Sequence, residues 1–338
     1  MDESLVVLGG GSWGTTLASI AVSHRPTVLW VRSDELAREI NAQHTNARYL
    51  PGIELPAALS ATTDLEGCLS HASAVLVAMP SHGIRSVLTS AADAIAACTP
   101  VFSLAKGIED GTALRMSQVI SSVAPQVVAG AVSGPNLAHE IAVGQPAACL
   151  VACDDRASAE SIQRALHTPR LRAYVSTDLI GCEIAGASKN VLAIAAGIAD
   201  GLGFGENTRA LLITRGLAEM SRLGAALGGE ASTFSGLAGL GDLVATATSD
   251  QSRNRRVGVE LGKGRSLEDI TASSFMVAEG VKSAGPLRVL AASAGVEMPI
   301  CAEVADIVAG RTTPRAALEV LMSRPAREER DEPGVRLP

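Results

Sequence analysis

The sequence predicts an α/β fold, in which a Rossmann-like, doubly wound parallel sheet domain is followed by an all-α C-terminal domain. Three observations predict it. Short apolar runs alternate with helical patterns in the first half, a glycine-rich G-x-G-x-x-G loop follows the first apolar run, and strand patterns stop near residue 182. Because 338 residues suffice for about two domains, we place the Rossmann-like domain at residues 1–181 and the helical domain at residues 182–338, with a frayed, charged tail over 324–338.

The apolar runs of the first half are predicted to form the strands in chain order. They are apolar on both faces and are separated by helical patterns, which is typical of a parallel sheet covered on both sides. The predicted strands are Leu5–Leu8, Thr27–Val31, Ala74–Met79, Val101–Leu104, Val127–Val132, Ala147–Val151 and Leu171–Val175. The predicted helices are Gly11–Ala21, Ile84–Cys98 and Leu114–Val123, then Glu183–Ala199 and Glu206–Leu227, with helical patterns continuing to about Leu321.

Charge, hydropathy and cysteine usage exclude several classes of protein. The net charge of −7 argues against a broad nucleic-acid-binding surface. The uncharged stretch 116–138 is interrupted by proline and glycine, so it predicts a helix end, a buried strand and a loop rather than a membrane span. The acidic N-terminus is not expected to be a signal peptide. The six cysteines show no metal-ligand spacing, so we expect buried, reduced thiols, no metal and a cytoplasmic protein.

The glycine-rich loop Gly9–Gly14 is the first candidate binding site. It follows the first predicted strand and opens the first predicted helix, which is the context that the dinucleotide fingerprint requires. Gly9 allows the tight turn, Gly11 leaves the backbone open to a pyrophosphate, and Gly14 lets the helix approach the sheet. The helix N-terminus favours the anion. The loop therefore predicts dinucleotide binding, against the simpler interpretation of a glycine-rich turn without a ligand.

The end of the second predicted strand bears on the choice of cofactor. An acidic residue there usually binds the free ribose 2′-hydroxyl of NADH, but this chain has Arg32 and Ser33 instead. Arginine and serine suit a 2′-phosphate, so NADPH is favoured as cofactor. NADH stays open, because Asp34 lies two residues later and is within reach of a ribose in principle.

Two lysines are candidates for the proton donor and substrate anchor that reduction of a carbonyl requires. Lys106 directly follows the predicted strand 101–104, and α/β sheets bind ligands at the carboxyl ends of their strands. Lys189 lies within a predicted helix among small and apolar neighbours, where partial desolvation would lower its pKa. The alternative for each is a lysine that extends its ammonium to solvent.

A polar and cationic cluster in the second half suits a phosphate. It comprises Asp242, in the run Gly239–Asp242, and the later run Ser252-Arg253-Asn254. Arginine binds phosphate in a bidentate manner, and the neighbouring polar side chains donate single hydrogen bonds. The carboxylate of Asp242 is suited to orient a hydroxyl or a lysine. A solvated helix face is the alternative interpretation of this cluster.

Together these segments resemble the bacterial NAD(P)-dependent glycerol-3-phosphate dehydrogenase family, over nearly the whole chain. One departure is Asn136-Leu137, where the family more often has a hydroxyl residue followed by Phe. The motifs that carry the resemblance are Gly9–Gly14, Pro80-Ser81-His82, Lys106-Gly107, Ser133-Gly134-Pro135, Lys189-Asn190, the run 214–220 (TRGLAEM), Gly239–Leu243, Ser252-Arg253-Asn254 and Val277-Ala278-Glu279-Gly280.

The resemblance implies reversible reduction of dihydroxyacetone phosphate to sn-glycerol 3-phosphate for glycerophospholipid synthesis, with hydride from nicotinamide C4 and Lys189 as proton donor and acceptor. It implies an NAD(P)-binding first domain and a substrate-binding, catalytic second domain. The catalytic positions it implies are Lys189, Lys106 and Asp242. The cofactor positions are Gly9, Gly11, Ser12, Trp13, Gly14, Arg32, Lys106, Ala138, Arg253, Val277 and Glu279. The substrate positions are Lys106, Gly134, Asn136, Lys189, Asp242, Ser252, Arg253 and Asn254.

Two other functions remain open from the sequence. A two-domain reductase of the same architecture that acts on a 3-hydroxy acid has no need for the Ser-Arg-Asn run, and an NADP(H)-binding sensor has no need for Lys189. The oligomeric state is also open, with a homodimer through the helical domain as one option. In each case the expected partner is a small molecule, without nucleic acid or an integral membrane segment.

Overall fold

The structure, a computed structural model, describes residues 4–272 and 278–325. Its first half contains an eight-stranded sheet formed by β1 (Ser4–Leu8), β2 (Thr27–Trp30), β3 (Ser60–Thr62), β4 (Ala72–Val77), β5 (Pro100–Ser103), β6 (Val128–Ser133), β7 (Ala147–Ala152) and β8 (Leu171–Ser176). The strand order is β3-β2-β1-β4-β5-β6-β7-β8, so the direction of winding reverses between β1 and β4. In open α/β sheets this switch point is where ligands bind, beyond the carboxyl ends of the strands.

The sheet confirms the predicted fold class, and seven of its strands match predicted strands. The prediction missed β3, a three-residue edge strand too short and polar to show a pattern. The expectation of a wholly parallel sheet is wrong at one pair, because β6 and β7 are antiparallel. A parallel neighbour requires a crossover along the full sheet, usually by a helix. Only the five-residue helix Ala138–Ala142 lies between these two strands, and the chain turns back.

Seven helices pack around the sheet in the described residues: α1 (Ser12–Ala21), α2 (Asp34–Gln43), α3 (Leu65–Leu69), α4 (Ser81–Thr89), α5 (Met116–Val123), α6 (Ala138–Ala142) and α7 (Arg156–Leu166). The single predicted helix 84–98 is wrong at its C-terminal end. Helix α4 ends at Thr89, and a 3-10 turn follows at Ala92–Ala94. Apolar spacing does not reveal this break, because Ala91 and Ile95 are both buried at a helical i, i+4 distance.

The second half is helical, as predicted. Its described helices are α8 (Leu179–Gly201), α9 (Glu206–Ala226), α10 (Ala231–Ser235), α11 (Asp242–Thr248), α12 (Arg253–Gly262), α13 (Leu267–Ala272), α14 (Glu279–Ser293), α15 (Pro299–Val308) and α16 (Pro314–Met322). Helix α8 is the central element, and the boundary predicted at 181/182 lies in its first turn. By length and composition α8 alone among the described helices could cross a membrane, but 89% of its apolar window is buried inside the protein.

Glycines bring the backbones of α8 and α12 into direct contact. A Cβ on Gly197 would lie 2.0 Å from the carbonyl oxygen of Arg255, and a Cβ on Gly258 would lie 2.1 Å from that of Ile194. No side chain larger than hydrogen fits at either position without separating the helices. This close packing places the N-terminus of α12 beside the middle of α8, where Lys189 lies.

The cysteine prediction is only partly correct. All six cysteines are free, and Cys149, Cys153, Cys182 and Cys301 are buried. Cys98 is exposed and Cys68 is half-buried, so the expectation of uniformly buried thiols is wrong for these two. The stretch 116–138 forms α5, β6 and a loop, as expected. The predicted frayed tail lies almost wholly outside the described residues.

Candidate active site

The carboxyl ends of β4, β5 and β6 meet side chains from the helical half. Glu279, the first residue of α14, accepts the backbone N–H of Ser81 at 3.3 Å and that of Lys106 at 3.0 Å. The Nζ of Lys106 donates to the carbonyl of Gly134 at 2.7 Å. Since Ser81, Lys106 and Gly134 closely follow three neighbouring strands, one wall of the site is made of strand ends and the other of helices.

The glycine loop has the geometry expected of a dinucleotide-binding turn. Gly9 has φ of +118°, which favours glycine, and a Cβ there would lie 2.7 Å from the carbonyl oxygen of Ala78. A Cβ on Gly14 would lie 2.0 Å from the carbonyl oxygen of Gly9, so α1 can approach the sheet only with glycine at this position. A Cβ on Gly11 would meet nothing within 4 Å. The loop therefore packs tightly against the protein at Gly9 and Gly14, and it leaves space for a ligand at Gly11.

The N-terminus of α1 fits the phosphates of a dinucleotide. Its N-cap residue, Gly11, gives no side-chain cap, so the first-turn N–H groups remain available to an anion. The hydroxyl of Ser12 donates to the carbonyl of Tyr49 at 2.6 Å, which leaves its oxygen free to accept. The indole Nε1 of Trp13 is buried without a partner among the described residues. Ala138 lies close by, since its carbonyl accepts from Thr16 at 3.4 Å.

Arg32 and Asp34 differ in their availability to a ribose. Arg32 is exposed just beyond β2, and its side chain makes no ion pair or hydrogen bond with any described residue. Ser33 caps α2 by accepting the N–H of Leu36. The carboxylate of Asp34 accepts from the hydroxyl of Thr63 at 2.8 Å. The side chain of Arg32 therefore has no partner among the described residues, whereas one carboxylate oxygen of Asp34 accepts from Thr63.

Two lysines share one buried carboxylate at the centre of the site. Asp242 Oδ2 lies 2.8 Å from Lys106 Nζ, and Asp242 Oδ1 lies 3.0 Å from Lys189 Nζ. Lys189 also donates to the hydroxyl of Thr246 at 2.8 Å. Asp242 is 2% exposed and Lys189 6% exposed, so the interactions are formed largely away from water. The structure thus brings together the three predicted catalytic positions, which are far apart in the sequence.

This arrangement shifts the pKa values of its members. Burial lowers the pKa of Lys189 to about 8, with Asp242 acting in the opposite direction and Lys106 adding to the decrease. Burial alone would raise the pKa of Asp242, but the ammonium groups of Lys106 and Lys189 together hold it below the ordinary value. The cluster therefore contains a firmly ionised carboxylate and a lysine able to exchange a proton near neutral pH.

The loop after β6 supplies an unpaired polar side chain. Gly134 has φ of +114°, and its carbonyl is the one that Lys106 contacts. Asn136 has both polar atoms of its carboxamide buried, with no hydrogen-bond partner among the described residues. Buried amides normally have partners, so this one indicates a place for a polar ligand group.

The predicted phosphate-binding run lies at the N-terminus of α12. Ser252 caps the helix by accepting the N–H of Arg255 at 3.2 Å, which leaves its hydroxyl proton free to be donated. Arg253 is exposed, and its side chain has no partner among the described residues. Asn254 is 8% exposed, and its carboxamide is hydrogen-bonded within the protein. Val277 lies outside the described residues.

Two further polar residues, Thr246 and Asn190, belong to the site although the sequence did not identify them individually. Thr246 donates to Asp242 Oδ1 at 3.1 Å and accepts from Lys189; its i+4 spacing from Asp242 is the signal that was available. Asn190 donates to the carbonyl of Lys106 at 2.9 Å. Asn190 belongs to the Lys189-Asn190 motif, but no local pattern in the sequence reveals its partner. Among the described residues there is no group of three or more His, Cys, Asp or Glu side chains placed to hold a metal ion.

Asp242 follows an unusual segment of helix. Leu237–Gly241 forms a π-helical turn directly before α11. A Cβ on Gly239 would lie 2.0 Å from the carbonyl oxygen of Phe234, so this widened turn requires glycine. π-turns are rare and are frequent at functional sites. The glycine-rich run 239–241 therefore shapes the backbone that carries the central carboxylate.

Comparison with known proteins extends over both halves of the chain. The family model described as the NAD-dependent glycerol-3-phosphate dehydrogenase N-terminus matches residues 4–159, and the model of its C-terminus matches residues 178–319. The chain is 50% identical to glycerol-3-phosphate dehydrogenase [NAD(P)+] 2 of Sphingopyxis alaskensis, over 91% of this chain and 92% of that protein. It is 48% identical to glycerol-3-phosphate dehydrogenase [NAD(P)+] of Rhodospirillum rubrum, over 97% of this chain and 94% of that one.

A solved structure agrees with the sequence relatives. The crystal structure of glycerol-3-phosphate dehydrogenase from Coxiella burnetii superimposes with a TM-score of 0.90 at 37% identity, covering 96% of this chain and 99% of that one. The sheet, the helical half and the connection between them are thus shared along the whole length. The chain belongs to the NAD-dependent glycerol-3-phosphate dehydrogenase family.

Proposed function

We propose that the chain catalyses the reversible, NAD(P)H-dependent reduction of dihydroxyacetone phosphate to sn-glycerol 3-phosphate. One observation carries the proposal: the buried carboxylate of Asp242 holds the ammonium groups of Lys106 and Lys189 at 2.8 and 3.0 Å, and the nearby N-terminus of α12 carries an arginine, Arg253, without a side-chain partner among the described residues. The two lysines are suited to bind a carbonyl oxygen, and the arginine is suited to bind a phosphate. The names of the relatives support the same reaction.

The cofactor is held by the glycine loop and the first turn of α1. The open space at Gly11 admits a pyrophosphate to the uncapped N–H groups, and the indole N–H of Trp13, which has no partner in the described part of the chain, is a further donor at this end. Arg32 is available to a 2′-phosphate, which favours NADPH over NADH. When bound, the nicotinamide cofactor supplies the hydride for reduction.

Lys189 is the proton donor in reduction and the acceptor in the reverse direction. Its lowered pKa, about 8, makes the proton available near neutral pH. Asp242 fixes the position of Lys189 Nζ, together with Thr246. Lys106 is the second cation of the site and stabilises negative charge that develops on the substrate oxygen. Asn136 offers its unpaired amide to a polar group of the substrate.

The N-terminus of α12 binds the phosphate of the substrate. Arg253 provides a bidentate donor, Ser252 a hydroxyl, and the helix dipole a favourable field for the anion. Because the phosphate does not react, its binding energy serves to align the carbonyl with the two lysines. Unphosphorylated dihydroxyacetone lacks this contribution.

The wider biological assignments follow from the same proposal. Residues 1–181 bind the cofactor, and residues 182–338 carry most of the substrate site. The product is a precursor of glycerophospholipids, and its synthesis from a water-soluble phosphate ester fits a cytoplasmic enzyme. A homodimer through the helical half is the proposed assembly, and sedimentation of the full chain tests it.

The decisive experiment is NADPH oxidation by the full-length chain with dihydroxyacetone phosphate, against unphosphorylated dihydroxyacetone. We expect turnover with the phosphate ester and a much lower kcat/KM without the phosphate. Equal kcat/KM for both compounds would remove the phosphate site from the proposal. Turnover of a 3-hydroxy acid but not of glycerol 3-phosphate in the oxidation direction would favour the alternative reductase, and NADPH binding without any turnover would favour a sensor.

A further inference from the structure

One buried polar side chain lies directly behind the glycine loop. Asn46 belongs to the segment between α2 and β3 and is 0% exposed. Its Nδ2 donates to the carbonyl of Gly10 at 2.9 Å and to the hydroxyl of Thr15 at 2.9 Å. Its Oδ1 accepts the N–H of Tyr49 at 3.3 Å. Both amide hydrogens and the amide oxygen therefore have partners inside the protein, at the turn where the cofactor is proposed to bind.

The residues on both sides of Asn46 are tied down. Glu39 of α2 accepts the hydroxyl of Thr45 at 2.9 Å and the N–H of Ala47 at 2.7 Å. The carbonyl of Asn46 accepts the N–H of Leu50 at 2.8 Å. These bonds fix the position from which the amide of Asn46 reaches the glycine loop.

The bond from Asn46 to Gly10 decides the direction of the next backbone N–H. In a trans peptide the C=O of one residue and the N–H of the next point in opposite directions. Because the Gly10 carbonyl points inward to a buried amide, the N–H of Gly11 points away from the interior. This N–H has no partner among the described residues, and a Cβ on Gly11 would meet nothing within 4 Å. The donor therefore faces the open side of the loop.

A run of three glycines needs such a restraint from outside. Glycine has the greatest backbone freedom, so the peptides of the run 9–11 rotate at little cost when nothing holds them. A Cβ on Gly10 would lie 2.5 Å from Cγ1 of Val31, so a stiffer residue does not fit at this position. The hydrogen bond from Asn46 opposes the rotation from a place that water does not reach, where such a bond is strong.

We infer that Asn46 is a positioning residue for the cofactor, which holds the peptide between Gly10 and Gly11 so that the N–H of Gly11 faces the pyrophosphate. The inference rests on the proposed binding of the cofactor at the glycine loop. NADPH and NADH share the pyrophosphate, so Asn46 should set the affinity for both, whereas Arg32 is proposed to act on NADPH. In the described part of the chain Asn46 makes no hydrogen bond to the two lysines of the site, so turnover at saturating cofactor should not depend on it.

The test is Asn46→Leu in the full-length chain. Leucine has the same branched shape and no charge, but it cannot donate to the carbonyl of Gly10. We expect the dissociation constant of NADPH, from fluorescence titration, to rise by about 10–100-fold, which corresponds to the loss of one hydrogen bond to a charged group. The dissociation constant of NADH should rise by the same factor. The kcat at saturating NADPH and dihydroxyacetone phosphate should stay at the wild-type value.

Thr15→Val is the matched control. It removes the other acceptor of the same amide group and leaves the bond from Asn46 to Gly10 in place. Thr15 is 0% exposed, so the variant should have a lower melting temperature, because one buried amide hydrogen loses its partner. Both dissociation constants should nevertheless stay at their wild-type values. An equal loss of affinity in Thr15→Val and Asn46→Leu would mean that Asn46 only stabilises the fold, and it would overturn the inference.

Asn46→Ala covers a failure of Asn46→Leu to fold, as judged by its melting temperature. Alanine removes the same bond without introducing a bulky apolar group, so the same loss of affinity for both cofactors is expected. Normal cofactor affinity in either folded variant, or a decrease in kcat at saturating cofactor with normal affinity, overturns the inference while the proposed function stands. Binding of NADPH without turnover by the unsubstituted chain overturns the proposed reaction alone, and absence of NADPH binding overturns both.

Discussion

Two sets of cations in this protein differ in how they are prepared for a ligand. Lys106 and Lys189 are paired with Asp242 inside the protein, at fixed distances. Arg32 and Arg253 are exposed at the starts of helices and make no side-chain interaction with the described residues. The lysine cluster is already formed in the structure, whereas in the proposed function each arginine gains its partner from a ligand. Changes in the cluster should therefore act on kcat, and changes at the arginines on affinity.

The largest effect is expected for Lys189→Met. Methionine fills the buried position with an unbranched apolar chain, and Asp242 keeps its ion pair with Lys106. Loss of the proton donor should lower kcat for reduction by about 10²–10⁴-fold. Steady-state NADPH oxidation gives kcat, and fluorescence titration should give an unchanged NADPH affinity. A normal kcat would exclude Lys189 as the proton donor.

Arg253→Ala tests the exposed set at the phosphate end. Loss of a charge-assisted hydrogen bond to the phosphate should raise KM for dihydroxyacetone phosphate by about 10–100-fold, with a smaller decrease in kcat because the phosphate contact also aligns the carbonyl. Arg256→Ala, on the same helix and also exposed without a partner among the described residues, is the matched control for the loss of one positive charge. Equal changes in KM for the two variants would mean that the overall positive charge of this surface, and not a direct contact of Arg253, sets the affinity for the phosphate.

The pH dependence of turnover reports on the buried set. Burial lowers the pKa of Lys189 to about 8, so Lys189 is protonated below that pH and neutral above it. Reduction requires the protonated form, and its kcat should fall by about tenfold per pH unit above pH 8. Oxidation of glycerol 3-phosphate requires the neutral form and should show the opposite slope below pH 8. A reduction rate that stays constant to pH 10, or one that rises, would contradict the role of Lys189 as the acid; the arginine variants should keep the wild-type profile.

The contrast between the buried lysine cluster and the exposed arginines also explains which parts of the site could be predicted from the sequence. The glycine loop and Arg32 belong to one strand–helix–strand unit formed by β1, α1 and β2, so spacing alone locates them. Lys106 was found because it follows a strand. That Lys106 and Lys189 share Asp242 has no local signal, because the three residues come from separate elements that only packing brings together. Hydrogen bonds such as that of Glu279 to the Lys106 N–H leave no periodic trace in the sequence.

The fold shows a similar division. Strands that are apolar on both faces are visible as runs of residues, but the direction of β7 depends on the path of the chain between Ser133 and Ala147. Nothing in the sequence of α8 shows that the missing side chain of Gly197 lets α12 approach, because the contact depends on the backbone of both helices. A sequence pattern within one helix or strand predicts that element. A contact between two elements cannot be predicted in this way, because it depends on the residues of both.

The smallest effect is expected for Arg32→Ala, and it tests the cofactor end of the exposed set. Arg32 has no partner among the described residues, and one carboxylate oxygen of Asp34 accepts from Thr63, so the proposed function assigns the contact with the ribose phosphate to Arg32. The variant should lose about tenfold in kcat/KM for NADPH, the equivalent of one exposed charge-assisted contact, and should keep its value for NADH. Measuring both cofactors with the same variant separates a lost 2′-phosphate contact from general damage, because damage lowers both values together. If kcat/KM for NADPH stays at the wild-type value, Arg32 does not select the cofactor.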